Sequence, residues 1–346
     1  MRAPWDLLVV NARIHTLERE GACAAAMAVR GGEVAQVFSD PPGASAARSA
    51  REVLDLGGRA VLPGLIDCHV HFLAASALRV GAIGVTDLDP AGLRAVTLED
   101  VGAKIRRYAS HVPPGKPVLC FNLVIDTVAE RRLPRRGELD AWLPGREVVV
   151  LSMDAHSSAY STPALKRLGK DADAPDGILS GASHELSMGT VNARLASSIT
   201  LPMLCWGIQE TVNEALGLGL VCLHCMEGFE DSKRDPSLWL LARCGGVLPV
   251  DLRLFVQYRD PARVVPYLRF LREPRIGGCM GWAMDGSVSS GTAAFDEPYR
   301  SDPANRGRLY FSADEAAALV GRAVHAGYQV TSHAIGTAAI EVLLGA

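Results

Sequence analysis

The sequence has no apolar run long enough to cross a bilayer, no excess of basic residues and no regular spacing among its eight cysteines. A transmembrane helix needs about 20 consecutive apolar residues, so we expect no membrane-spanning segment. The 35 Lys and Arg residues against 38 Asp and Glu residues give a net charge of −3, which argues against a nucleic-acid partner. The scattered cysteines and the absence of an apolar signal peptide predict reduced thiols in a cytoplasmic protein.

The residues that are present are typical of a large α/β chain. Apolar residues make up 49% of the 346 residues and charged residues 21%, which suits a chain that buries a sizeable core. Residues 1–60 have the pattern of short strands separated by turns, and we expect them to form part of a small β-sandwich domain. Residues 61–346 alternate strand-like runs with helical patterns, and we expect a TIM-like (β/α)8 barrel there. The strand-like runs are 61–71, 84–87, 117–124, 147–153, 219–224, 250–257, 277–285 and 328–333.

Two amphipathic patterns, 98–109 and 312–326, predict helices between these runs, the second with Ser312 as N-cap and Glu315 three residues on.

Titratable side chains gather where the predicted strands end. Catalytic groups of (β/α)8 barrels lie at the carboxyl ends of the strands, so this placement points to one common site. The side chains concerned are His69, His71, Asp154, His156, His224, Asp285 and His333.

The pair His69 and His71 ends the first strand-like run of the predicted barrel. Residues two apart on a strand point to the same side, so the two imidazoles can bind one metal ion. Zn²⁺, Fe²⁺ and Mn²⁺ all accept nitrogen ligands of this kind. The alternative is a pair of core histidines with no metal.

The run 61–71 resembles the first barrel strand of the amidohydrolase superfamily, in which the His-x-His pair binds the catalytic metal. The segments 10–17 and 28–34 resemble the N-terminal β-sandwich strands of those enzymes. The string at 331–340 is similar to the His-Ala-Ile-Gly-Asp motif of the third amidohydrolase family, which includes N-substituted formamide deformylases. This resemblance implies that His333 is a metal ligand, with Thr337 in place of the motif's aspartate.

The segment 284–294 resembles the same family's Asp-Gly-Ser-Leu-Gly-Ser-Arg-Thr-Ala signature. The family usually has a carboxylated, metal-bridging lysine just before it, whereas 278–283 contains no lysine. We therefore expect either a single-metal site or a substitute bridge. Glu227 is the candidate substitute, with a plain surface glutamate as the alternative. Asp285 either binds substrate or fixes the loop through backbone amides.

The segment 154–165 resembles a further family string that contains an Asp-x-His pair, and the resemblance implies a part of the substrate wall. His156 is then a catalytic candidate that donates a hydrogen bond to a substrate carbonyl or oxyanion. A structural contact between Asp154 and His156 is the alternative.

The family pattern also places another histidine strand and a final aspartate strand after His333. The chain ends at Ala346, 13 residues later, without them. Three explanations stay open: a fragment of a longer protein, a natural inactive truncation, or completion by a partner chain. We expect the first, with a barrel that is C-terminally incomplete.

These features together predict a metal-dependent amidohydrolase that hydrolyses an amide, formamide or cyclic C–N bond of a small-molecule substrate. His69, His71 and His333 are expected to hold one or two divalent ions, zinc first and iron or manganese as alternatives, which activate water. A deaminase of the same superfamily and an inactive barrel that serves as a scaffold or binding protein are the alternatives. A homo-oligomer is one assembly that the chain could form.

Overall fold

The computed structural model describes residues 5–86, 96–170, 173–228, 236–270 and 273–346. The last residue of the predicted run 84–87 lies outside these ranges. Contacts divide the chain into two units, Met1–Leu65 and Ile66–Ala346.

The N-terminal unit is built from short strands that form two sheets. A four-stranded sheet has the order β5-β4-β1-β6, and a three-stranded sheet has the order β3-β2-β7. Alternation on β4 directs Ala26 and Ala28 to the buried side, where Leu8 of β1 also lies fully buried. The elements are β1 (Trp5–Val10), β2 (Arg13–His15), β3 (Cys23–Ala24), β4 (Ala26–Arg30), β5 (Glu33–Phe38), α1 (Ala44–Arg48), β6 (Ala50–Asp55) and β7 (Ala60–Val61).

The C-terminal unit alternates strands and helices, as the sequence pattern predicts. Its strands are β8 (Leu65–Val70), β9 (Ile83–Gly84), β10 (Val118–Leu123), β11 (Val148–Ser152), β12 (Ser157–Tyr160), β13 (Ile178–Ser180), β14 (Leu220–Glu227), β15 (Asp251–Val256), β16 (Arg275–Gly278) and β17 (Gln329–Ser332). Its helices are α2 (Phe72–Gly81), α3 (Leu98–Ala109), α4 (Arg136–Trp142), α5 (Thr162–Leu168), α6 (Gly181–Ala196), α7 (Leu201–Gly217), α8 (Pro236–Cys244), α9 (Ala313–His325) and α10 (Thr337–Gly345).

These strands form two five-stranded sheets with the orders β13-β12-β11-β10-β9 and β17-β16-β15-β14-β8. Strands β9 to β11 are parallel, and so are β14 to β17. The α/β class is confirmed, while closure into one eight-stranded barrel is not seen in the described ranges. Strands β12 and β13 run antiparallel, an excursion that the strand–helix alternation did not predict.

A capping residue fixes the start of helix α9. Ser312 caps α9: its hydroxyl accepts from the Glu315 amide at 3.3 Å, and the Glu315 carboxylate accepts from the Ser312 amide at 2.8 Å. This reciprocal pair satisfies two backbone donors that the first helical turn leaves open, so the predicted N-cap is confirmed. Ala316, Leu319 and Ala323 then face the core at helical spacing.

The core of the C-terminal unit is formed by apolar side chains between the sheets and their helices. One cluster joins β14 and β15 to α7, α8 and α9 and includes the fully buried Trp282, Val212 and Val256. A second joins β10 and β11 to α3 and α4 around Ile105 and Leu139. Within the described ranges, no helix is both long enough and apolar enough to span a membrane.

Two glycines determine how β16 ends. Gly277 and Gly278 have φ values of +109° and +136°, a region that favours glycine. A Cβ on Gly277 would lie 1.9 Å from the carbonyl oxygen of Thr331 on β17. The close pairing of β16 with β17 therefore requires glycine at this position.

The variant Gly277→Ala is expected to lower the free energy of unfolding by about 1–3 kcal/mol or more, because a strained φ adds to the contact with Thr331. Urea denaturation measures the change. Gly321→Ala, within α9 and with no heavy atom within 4 Å of the added Cβ, is the control and should gain about 0.5–1 kcal/mol. Equal midpoints for the two variants would contradict this account.

Candidate metal centre

The carboxyl end of β8 carries the two histidines of the His-x-His pair. His69 lies on the strand, and His71 occupies the N-cap position of α2. Their ring centroids are 5.4 Å apart, so the two imidazoles are neighbours on one side of the chain. Burial lowers the pKa of both rings, and the positive charge that nearby histidines can carry adds to this effect. The lowered pKa favours the neutral imidazole, which is the form that binds metals.

Strand β14 fixes the orientation of His71. The Nδ1 of His71 donates to the carbonyl oxygen of Met226 at 3.1 Å, which leaves Nε2 with its lone pair. The adjacent Glu227 accepts from the Leu73 amide at 3.0 Å in the first turn of α2. Glu227 is 7% exposed. The alternative that Glu227 is a plain surface glutamate is therefore wrong.

A cysteine that sequence reasoning passed over lies beside the pair. The Sγ of Cys279 is 3.2 Å from His69 Nε2. Ligand atoms of His69, His71 and Cys279 all lie within 4.8 Å of one another, and this is the only such group of three found among the described residues. Burial raises the pKa of the free Cys279 thiol to about 11. Its position directly after Gly277-Gly278, at a strand end, is the signal that could have identified it.

His333 follows the end of β17 and stands close to the pair without joining the group of three. Its backbone amide donates to the Gly278 carbonyl at 2.8 Å, and its Nε2 donates to the Gly286 carbonyl at 2.9 Å. Its ring centroid is 5.4 Å from that of His156. A positive charge on His333 would lower the pKa of His69 and of His156, in addition to the effect of burial.

Asp285 accepts hydrogen bonds from backbone amides beside His333. It is fully buried and accepts hydrogen bonds from the amides of Ala294 (2.7 Å), Ile335 (2.9 Å) and Gly336 (2.8 Å). Its Oδ1 is 3.9 Å from His333 Nε2. This geometry favours the second of the two roles considered for Asp285, the fixing of the loop.

Asp154 joins the loop after β11 to the serine-rich loop at 287–290. Its carboxylate accepts from the Ser287 hydroxyl at 2.7 Å, from the Ser290 hydroxyl at 3.1 Å, and from Ser152 and Ser289. Burial by itself would raise the pKa of Asp154. The hydrogen bonds outweigh burial and hold the pKa well below its usual range.

The backbone before His156 is fixed by a turn at Ala155 and by the buried His184. Ala155 adopts φ +55°, and its carbonyl accepts from His184 Nε2 at 2.7 Å. His184 is 1% exposed and also contacts the Ser158 hydroxyl at 2.8 Å. His184 lies on α6, in a stretch that no sequence pattern linked to the site.

His224 occupies a different position from the one that the sequence predicted. Strand β14 continues past it to Glu227, because backbone pairing with β15 extends to Glu227 opposite Val256. His224 therefore lies within the strand, with its ring centroid 5.5 Å from that of Phe255. Glu227 and Met226 stand at the strand end instead.

Comparison with known proteins places this arrangement in a family. A model described as the amidohydrolase family matches residues 52–346, more than half of the chain. The chain belongs to the amidohydrolase family. The resemblance inferred from the motifs at 61–71, 284–294 and 331–340 is confirmed.

Two individual relatives align with this chain at 27% and 30% identity. An N-substituted formamide deformylase from Arthrobacter pascens is 27% identical over 368 residues, covering 99% of this chain and 65% of that protein. An adenine deaminase from Nitratidesulfovibrio vulgaris is 30% identical over 246 residues, covering 64% of this chain and 39% of that protein. The chain thus spans just under two thirds of the length of the deformylase.

A solved structure has the same fold. An uncharacterized metal-dependent hydrolase from Pyrococcus horikoshii OT3 superposes with a TM-score of 0.68 at 22% identity. The match covers 98% of this chain and 67% of that chain. At this level of identity the likeness establishes the fold alone.

The variant Asp154→Asn is expected to lower the free energy of unfolding at neutral pH by about 1–3 kcal/mol, because the serine hydroxyls lose a charged acceptor. The pKa of Asp154 is lower in the folded than in the unfolded chain. Its contribution is therefore complete above the unfolded pKa of about 3.9 and is lost as the pH falls toward the folded value.

Urea unfolding of wild type and Asp154→Asn at neutral pH and at about pH 3 measures the contribution of the Asp154 carboxylate. This contribution should be smaller at the lower pH. The exposed carboxylate of Asp126 offers the matched control Asp126→Asn. A difference between wild type and Asp154→Asn that stays constant with pH would refute the assignment.

Proposed function

We propose that this chain is a metal-dependent amidohydrolase that hydrolyses an amide, formamide or cyclic C–N bond through metal-activated water. The observation that carries the proposal is the convergence of His69 and His71 with Cys279, all within 4.8 Å, in a chain of the amidohydrolase family. Their side chains meet where β8 and β16 end, the edge at which barrel enzymes carry their chemistry.

The donor chemistry fits a divalent transition metal. Two imidazoles and a thiol offer nitrogen and sulfur, the ligands that Zn²⁺ prefers, and iron and manganese are the proposed alternatives. The hydrogen bond from His71 Nδ1 to Met226 holds the ring in a fixed tautomer and orientation, as is common for metal-binding histidines. When bound, such an ion supplies a nucleophile at neutral pH and polarises a carbonyl.

His333 and Glu227 are proposed as the remaining ligands, for one ion or for two. The support for His333 is the hydrogen bond from its backbone amide to the Gly278 carbonyl, directly before Cys279. The support for Glu227 is its burial at the end of β14, next to the residue that orients His71. Glu227 accepts from the Leu73 amide through Oε1 and would bind the metal through its other oxygen, and His333 would coordinate through Nδ1 or release Gly286 from Nε2.

His156 is proposed as the catalytic side chain that donates a hydrogen bond to the developing oxyanion. Its ring stands beside that of His333, and the Asp154 and Ala155 contacts fix its backbone. Preorganised donors of this kind stabilise charge that forms during hydrolysis. Asp285 contributes by holding the backbone that carries His333.

The two enzymatic alternatives each have a relative in their favour. The deformylase supports a formamide or amide substrate, and the adenine deaminase supports release of ammonia from a ring amine. We favour the first because that relative aligns with 99% of the chain, against 64% for the deaminase. A small-molecule substrate is part of either proposal.

The complete fold is proposed to be a (β/α)8 barrel with a β-sandwich to which residues 1–60 contribute. The two parallel segments of sheet, β9 to β11 and β14 to β17, support the barrel. The two sheets of the N-terminal unit support the sandwich. The cytoplasmic location and a homo-oligomeric assembly stay predictions.

Metal content tests the proposed site. We expect wild-type protein to retain one or two divalent ions and His69→Ala and His71→Ala to lose at least one ion per chain, because each variant removes one imidazole ligand. Inductively coupled plasma mass spectrometry after gel filtration gives the ratio. The exposed His111 supplies the control His111→Ala, which should match wild type. Equal metal in all four proteins would sink the assignment.

Product analysis separates the activities. Metal-loaded protein is incubated with N-alkylformamides, N-acyl amines and cyclic amides, and separately with adenine and related ring amines. We expect formate or carboxylate release from the first set and no ammonia from the second. Ammonia release alone would establish the deaminase alternative. Metal binding without turnover in either set would favour a scaffold or binding role.

A further inference from the structure

We propose that Cys279 is the third protein ligand of the metal, so that one thiolate and two imidazoles form a site selective for a thiophilic divalent ion such as Zn²⁺. This inference rests on the proposed function, since it concerns the same ion. It assigns a role to a residue that no motif of the chain indicates.

The separation of the three ligand atoms suits such an ion. Zinc–nitrogen bonds of about 2.0–2.1 Å and a zinc–sulfur bond of about 2.3 Å place tetrahedral ligand atoms about 3.3–3.6 Å apart. Cys279 Sγ is 3.2 Å from His69 Nε2, and no pair in the group exceeds 4.8 Å. A small rotation of side chains therefore brings all three atoms to coordination distance.

The backbone at Cys279 is held in place by a buried side chain. The Cys279 amide donates to Gln257 Oε1 at 2.7 Å, and Gln257 Nε2 donates to the Gly228 carbonyl at 3.1 Å. Gln257 is 2% exposed, and its own amide donates to the Glu227 carbonyl at 2.9 Å. The ends of β14 and β15 are thereby tied to the thiol that follows β16.

Glycine at position 278 makes this bridge possible. A Cβ there would lie 2.8 Å from Gln257 Oε1, the atom that accepts from Cys279. Gly278 also has a positive φ, at the last residue of β16. Ligands whose supporting contacts are already formed lose less freedom when they bind a metal.

The adjacent Cys68 provides a matched control. It precedes His69 on β8, so alternation directs it to the other face of the strand. Cys68 is exposed, and its Sγ lies 3.9 Å from the Ile66 carbonyl. It does not belong to the group formed by His69, His71 and Cys279. Cys68→Ser removes a thiol one residue from His69 without touching the proposed ligands.

Cobalt spectroscopy tests the thiolate bond directly. Metal-free full chain is titrated with Co²⁺ alone, and the near-ultraviolet sulfur-to-cobalt charge-transfer band is recorded. We expect the band in wild type and in Cys68→Ser. Cys279→Ser should lack it and bind Co²⁺ at least about tenfold more weakly. Cys279→Asp, which keeps a ligand of another type, should recover part of the affinity without the band.

The outcomes separate the two proposals. Cobalt binding by wild type without the band, or a band that survives in Cys279→Ser, overturns the cysteine assignment and leaves the metal site standing. Failure of wild type to bind Co²⁺ in any detectable amount overturns the metal site together with this inference. The wild-type spectrum decides between these cases even if a Cys279 variant does not fold.

Discussion

The contacts between the end of β8 and the end of β14 are the constraint on which the site depends. His69 lies on β8 and His71 directly follows the strand. Strand β8 lies at one end of the strand order of its sheet, and Leu65 and Ile66 are more than half exposed. The hydrogen bonds from the His71 ring to Met226 and from the Leu73 amide to Glu227 hold the strand end and the start of α2. Without them, the pair would sit on a weakly anchored edge strand.

Two buried or half-buried carboxylates organise the loops around this junction. Asp285 accepts from the amides of Ile335 and Gly336, just after His333, and from that of Ala294. Asp154 accepts from hydroxyls of the loop at 287–290. Each carboxylate satisfies several donors that distant segments would otherwise leave unpaired. The chemistry proposed for His156 and His333 therefore depends on acidic residues that position other groups.

Much of the fold could be predicted from local pattern. The alternation of apolar runs and amphipathic helices indicated the α/β class, and the Ser312 capping pair placed the start of α9 correctly. The antiparallel strands β12 and β13 escaped prediction because a tight turn at Ala155, not a change in hydrophobic period, reverses the chain. Local pattern carries no information on such tertiary pairing.

Local pattern also predicted part of the site, namely the residues that lie close together in sequence. His69 and His71 are two residues apart in sequence, so local geometry at the end of β8 brings them together. Cys279 lies 210 residues from His69, and only folding places its sulfur beside that ring. The assignment of His224 to a strand end failed because the register with β15 extends the strand by three residues.

Anomalous X-ray diffraction at the zinc edge, on crystals of zinc-loaded protein, tests the central claim most directly. The account predicts an anomalous peak within bonding distance of His69 Nε2, His71 Nε2 and Cys279 Sγ. A zinc-loaded crystal with no peak at these three atoms, or with its only peak elsewhere, would contradict it.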